Sequence, residues 1–155
     1  MPVTDESIVV PAPTEVIYDY LSDPTHRPEY DATILTSELD GDGPVRVGSR
    51  FGGKARILGR PFDWKVEVTE DDRPRRQAYK SVEGPISFTG AITLTSEAGG
   101  TRVNWRIDST TGLGGVFGSI ADGLVNKAYA RQVRANLQTL SEILTEHRDG
   151  SGASR

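Results

Sequence analysis

The sequence predicts one α+β domain in which a curved antiparallel sheet is covered by a long C-terminal helix. Three observations lead there. Apolar and polar residues alternate through several runs between about Ala32 and Thr111, turn residues interrupt those runs at short intervals, and the stretch from about Gly115 to Glu146 lacks proline and is rich in helix formers. A chain of 155 residues has the length of one domain and buries roughly 70% of its unfolded surface.

The elements follow in order. Ser7 to Val10 reads as a strand ended by Pro11. Pro13 then suits a first helical turn; Val16, Ile17, Tyr20 and Leu21 share one helical face, and Pro24 stops the helix at Asp23. Asp23-Pro24 is a good cap for a second brief helix through Tyr30. Strands follow, separated by Gly41-Asp42-Gly43-Pro44, Gly59-Arg60-Pro61, Asp71-Asp72-Arg73-Pro74, Gly84-Pro85 and Gly99-Gly100. Phe62, Trp64, Val66 and Val68 alternate with polar neighbours, as do Ile86, Phe88, Ile92 and Leu94, and then Val103, Trp105 and Ile107. One sheet face is therefore dry. In the last helix Phe117, Ile120, Leu124 and Ala128 share one direction and Val133, Leu137, Leu140 and Leu144 another, which predicts a bend or a division of labour. Residues 1–147 read as one domain and 148–155 as a polar, Gly/Ser-rich disordered tail.

Composition narrows the function. A net charge of −4 and no basic-aromatic stretch argue against nucleic acid. The absence of cysteine removes disulfides and thiolate chemistry and fits a reducing cytoplasm. No apolar run reaches the roughly 20 residues of a membrane span, so stable insertion is not expected.

The stretch from Ala12 to Leu21, Asp23 to Tyr30, Val47-Gly48-Ser49-Arg50-Phe51, the run from Pro74 to Ser81 and Gly100-Thr101-Arg102-Val103 together resemble the START-like or Bet v 1-like (SRPBCC) superfamily, in its polyketide cyclase/dehydrase branch. The resemblance implies a helix-grip fold: seven antiparallel strands curved around the C-terminal helix, two short helices after the first strand, and an internal pocket. It implies an apolar, polyketide- or lipid-like small molecule as ligand, with no cofactor. A polyketide cyclase/aromatase or dehydratase is the enzymatic alternative, and a protein-interaction module such as a chaperone activator or stress factor a third. A monomer or homodimer is expected.

Projecting the alternation inward puts Phe51, Ile57, Phe62, Trp64, Val66, Phe88, Trp105 and Ile107 on the concave face, opposite Ile120 and Leu124 of the helix. Sending Lys80 to water leaves Gln77, Tyr79 and Ser81 inside; Tyr79 is the candidate hydrogen-bonding group or weak general acid. Tyr30 and Tyr129 are candidates for the pocket mouth and wall. For each of these side chains ordinary core packing is the competing reading. A metal site would require pairing His26 and His147 across the molecule with carboxylates, so none is expected, and no Gly-x-Ser-x-Gly elbow occurs. Gly112 to Gly118 lacks the dinucleotide fingerprint and reads as a glycine joint that lets the helix breathe. Lys127, Arg131 and Arg134, and Arg73, Arg75 and Arg76, read as solvated cations.

Overall fold

The computed structural model describes residues 3–57, 59–109 and 122–153, the backbone alone for 122–126 and 146–153. Its elements are β1 (Val3–Val10), α1 (Thr14–Ser22), a 3₁₀ turn (Pro24–His26), α2 (Arg27–Tyr30), β2 (Glu38–Leu39), β3 (Arg50–Ile57), β4 (Arg60–Asp72), β5 (Arg76–Glu83), β6 (Phe88–Glu97), β7 (Gly100–Ser109) and α3 (Asp122–Ala153). The strands form one seven-stranded sheet ordered β1-β7-β6-β5-β4-β3-β2, antiparallel throughout. β2 to β7 are thus a meander, and β1 closes it by pairing with the last strand.

The local signals operate as their chemistry dictates. The Asp23 carboxylate accepts from the Thr25 backbone N–H at 3.0 Å and from its hydroxyl at 2.6 Å, capping the 3₁₀ turn, and Thr25 holds that carboxyl below its usual range. The register shift at Lys65/Val66 leaves Val82 of β5 as an extra residue and the one at Val68/Glu70 leaves Thr69 of β4 as one, and bulges of this kind bend a sheet. The bend makes the face carrying Trp64, Val66 and Val68 concave.

Two apolar clusters occupy that face. One joins Ile92, Leu94, Val103 and Trp105 to Ile17 and Tyr18 of α1 and to Val133, Leu137, Leu140 and Leu144 of α3. This second helical stripe is buried, so the part of α3 that carries it seals the core. The other cluster joins Phe51, Ala55, Trp64, Val66, Val68 and Tyr79 on β3, β4 and β5. Phe88 packs against both.

The start of the last helix and the whole glycine joint from Gly112 to Gly118, with Phe117 and Ile120, lie outside the described residues. Residues 148–153, expected to be disordered, continue α3 to Ala153. Extending an existing helix adds one hydrogen bond per residue without repeating the cost of nucleation, which lets it run past Gly150 and Gly152.

Candidate functional site

Between the two clusters lies a cavity. Its volume is about 60 Å³, and it opens in part to solvent. An engineered cavity that accepts benzene has about 150 Å³. The cavity is therefore smaller than that one, and a ring-sized guest must extend through its open side or displace a wall side chain.

Most of the wall is apolar. Phe51, Ala55 and Ile57 of β3, Phe62, Trp64 and Val66 of β4, Ile86 and Phe88 around the start of β6, Ile107 of β7, Ile34 and Tyr129 all face it. Phe51 meets Trp64 edge-on with ring centres 5.8 Å apart, and Phe88 meets Tyr79 edge-on at 6.3 Å. Such contacts fix the rings without filling the space between them.

The remaining wall, Arg27, Asp31, Thr33, Tyr79 and Ser109, is polar. Arg27 and Asp31 sit four residues apart at α2, their side chains only 13% and 3% exposed, with Nε 3.3 Å from Oδ2. Asp31 accepts at its other oxygen from the Thr33 N–H at 3.0 Å, the Thr33 hydroxyl at 2.6 Å and Asn136 Nδ2 at 3.0 Å. Asn136 of α3 in turn accepts from the Ala32 N–H at 3.2 Å and from Gln132 at 2.9 Å. The buried carboxylate is thus fully partnered, and it ties α2 to the long helix.

Arg27 is held between rings. Its guanidinium carbon lies 4.5 Å from the centre of the Trp105 ring, 5.5 Å from that of Tyr79 and 5.7 Å from that of Tyr30. Burial works against its charge, yet Tyr79, Tyr30 and Asp31 outweigh it, so the guanidinium is held above its usual range. Nη2 donates to the Tyr79 hydroxyl at 3.2 Å, and Trp105 Nε1 donates to the same oxygen at 3.0 Å. Burial also pushes the Tyr30 phenol up to about 12 and the Tyr129 phenol well above its usual value, keeping both neutral.

Tyr79 reaches this position because its β6 partner is Gly90; a Cβ there would meet the tyrosine ring at 2.5 Å and its hydroxyl at 2.7 Å. The neighbouring Lys80 is exposed, as the chosen strand phase requires. Trp64 supplies a contrast to Trp105: its Nε1 is buried and has no hydrogen-bond partner.

Of the residues singled out from sequence, Phe51, Ile57, Phe62, Trp64, Val66, Tyr79, Phe88, Ile107 and Tyr129 come together around the cavity. Trp105 stands behind Tyr79, and Tyr30 is buried with it in the neighbouring cluster, ring centres 6.1 Å apart. Gln77 faces the Tyr18 side of the sheet and does not line the cavity. Ser81 accepts the Phe88 backbone N–H at 3.0 Å and so secures the β5–β6 connection. Ile120 lies outside the described residues, as do the side chains of Leu124 and His147. His26 stacks on Tyr20 at 4.3 Å with Nδ1 2.8 Å from the Tyr20 carbonyl, a packing role.

Sequence reasoning passed over Arg27 and Asp31, whose spacing of four is equally that of a surface ion pair. It also passed over Thr33, Ile34, Ala55, Ile86 and Ser109. Arg73, Arg75, Arg76 and Arg134 pair with Asp19, Asp72, Glu70 and Glu6, so they form no open cationic patch. Among the described residues no group of three or more His, Cys, Asp or Glu could hold a metal, and no helix is long and apolar enough to cross a membrane.

A curved seven-stranded sheet gripping a long C-terminal helix around an apolar cavity defines the helix-grip class. The chain belongs to the polyketide cyclase / dehydrase and lipid transport family, whose model matches residues 1–145. Among solved structures it is similar to TTHA0849 from Thermus thermophilus, at 23% identity and TM-score 0.76 over 94% of this chain and 99% of that one. It is also similar to a START superfamily protein from Mycobacterium smegmatis (12%, 0.75, covering 93% and 97%). A third likeness is to the Zhui aromatase/cyclase from Streptomyces sp. R1128 (14%, 0.72, covering 92% and 93%). Likeness at these identities shows the shared fold.

Proposed function

We propose that the protein binds an apolar, polyketide- or lipid-like small molecule in the cavity between β3–β7 and α3, without a cofactor. The observation that carries this is the wall itself: aromatic and aliphatic side chains over most of the surface and one compact polar pole at Arg27, Asp31 and Tyr79. Burial of rings against such a wall supplies affinity, and the polar pole fixes orientation. Residues 1–147 act as one domain, as a monomer or homodimer in the cytoplasm, a location that the absence of cysteine supports. Native mass spectrometry of freshly purified protein tests the reading. One small-molecule adduct per chain is expected for the wild type and its loss in Ala55→Phe, which fills the wall; an adduct retained equally in the folded variant would place the ligand elsewhere.

A cyclase or dehydratase activity is the second reading, favoured by one observation. The Tyr79 oxygen already receives two donors, which leaves its own proton as the group it can offer a guest in the cavity. A phenol so placed can act as general acid toward a bound polyketone. Turnover of a model polyketone that falls sharply in Tyr79→Phe would support it. The interaction-module alternative has no comparable support: the exposed large apolar residues Val3, Val16, Leu35 and Val47 are scattered over separate elements.

A further inference from the structure

We propose that the cavity selects a ligand bearing a neutral carbonyl oxygen, which lies at the polar pole and accepts hydrogen bonds from the Tyr79 hydroxyl and from Arg27. The inference rests on the cavity-binding reading and deepens it by naming the ligand's functional group.

Donors and acceptors at the pole are unequally used. Arginine and the indole nitrogen of tryptophan can only donate. Because Arg27 Nη2 and Trp105 Nε1 both donate to Tyr79, the hydroxyl's lone pairs are taken and its proton is its remaining capacity. Tyr79 is 97% buried, since its exposure is 3%, and no described residue accepts that proton. Arg27 has five N–H bonds. One goes to Asp31 and one to Tyr79, and the Tyr30 hydroxyl can draw on another, so donors remain beside the cavity. The carboxylate acceptors at this pole are used up: both Asp31 oxygens are occupied by Arg27, Thr33 and Asn136, which leaves only the weaker hydroxyl acceptors of Thr33 and Ser109. The pole therefore offers donors and requests an acceptor.

Charge decides which acceptor. The Arg27 guanidinium is already balanced by the Asp31 carboxylate 3.3 Å away. A ligand carboxylate would bring an uncompensated third charge into a buried site, which costs more than its hydrogen bonds return. An alcohol oxygen can accept, but its own proton must then be turned to the Thr33 or Ser109 hydroxyl, a constraint that a carbonyl does not carry. A ketone or aldehyde oxygen satisfies both donors and brings neither liability.

The test uses four compounds of one skeleton: 1-indanone, 1-indanol, indane and indane-1-carboxylate, each titrated into the wild-type protein by calorimetry. With the neutral compounds corrected for their octanol–water partition, 1-indanone is expected to bind about tenfold tighter than indane, with 1-indanol between them and the carboxylate weakest. The carbonyl stretch of bound carbonyl-13C indanone is expected at lower wavenumber than in hexane, and Tyr79→Phe is expected to bring the corrected ketone and hydrocarbon affinities together. If that variant fails to fold, the wild-type series and the infrared shift still decide. Indane binding as tightly as indanone overturns this inference and leaves cavity binding intact. The carboxylate or the alcohol binding tightest overturns it as well, and saturable binding of none of the four overturns both.

Discussion

Two tryptophans differ in one respect that a single substitution can isolate. Trp105 donates its Nε1–H to Tyr79 and stacks its ring against Arg27, whereas Trp64 carries a buried Nε1 with no partner. Replacing either by Phe deletes the same atoms from sites only 1% and 8% exposed. For Trp105→Phe the loss combines a hydrogen bond of about 0.5–1.5 kcal/mol, part of a buried cation–π contact of about 2 kcal/mol and the space left by the indole. A destabilisation of about 2–4 kcal/mol is expected. For Trp64→Phe the lost packing is offset by removing an unsatisfied donor that costs about 1–3 kcal/mol, which leaves the variant within about 1 kcal/mol of wild type. The gap of about 2 kcal/mol corresponds to about 4–8 °C in Tm for a chain of this size. Urea unfolding with unchanged m-values measures it directly. Equal losses in the two variants, or a larger loss for Trp64→Phe, would refute the hydrogen-bond accounting of the polar pole.

Other consequences follow from the same geometry. Gly90→Ala forces its methyl into the Tyr79 ring and is expected to cost about 1–3 kcal/mol in chemical denaturation, with weaker ligand binding. Asn136→Leu removes a donor to the buried Asp31 carboxylate and two acceptor contacts; it is expected to destabilise by about 2–4 kcal/mol, while Gln138→Leu on the exposed face of α3 stays within about 0.5 kcal/mol. Tyr18, Tyr20, Tyr30 and Tyr129 have phenol pKa values raised first by burial. A raised folded-state pKa means that this stabilisation is complete below about pH 10, the unfolded phenol value, and fades as pH rises beyond it. Phenolate absorbance is therefore expected to appear cooperatively with alkaline unfolding, and smooth ionisation of Tyr18 and Tyr30 near pH 10 in the folded protein would contradict their burial.

The strands were legible because each carries its own period. Phe62 to Val68 and Val103 to Ile107 alternate cleanly, and glycine and proline mark the turns between them. The inward phase of β5 followed from the charge of Lys80 alone, and it delivered Tyr79 to the cavity wall. Its neighbours on that face did not follow, because a twisted strand covers more than one site: Gln77 lies toward α1 and Ser81 toward the β6 turn. The polar pole was harder to read. α2 has four residues, too few for a period, so nothing local distinguishes the buried Arg27 from a surface arginine. Its burial becomes understandable only once Trp105, Tyr79 and Asp31 converge from distant parts of the chain. The bulges that curve β4 likewise depend on pairing with β5, which no single strand reveals.

An apolar guest has to enter the space between the sheet and α3 if the protein works as described. Calorimetric titration of naphthalene at several temperatures, into the wild type and into folded Ala55→Phe, tests this most directly. Saturable binding of one molecule per chain with a negative heat-capacity change, abolished by the filled wall, is the predicted result. No saturable binding to the wild type, or binding unaltered by Ala55→Phe, would contradict it.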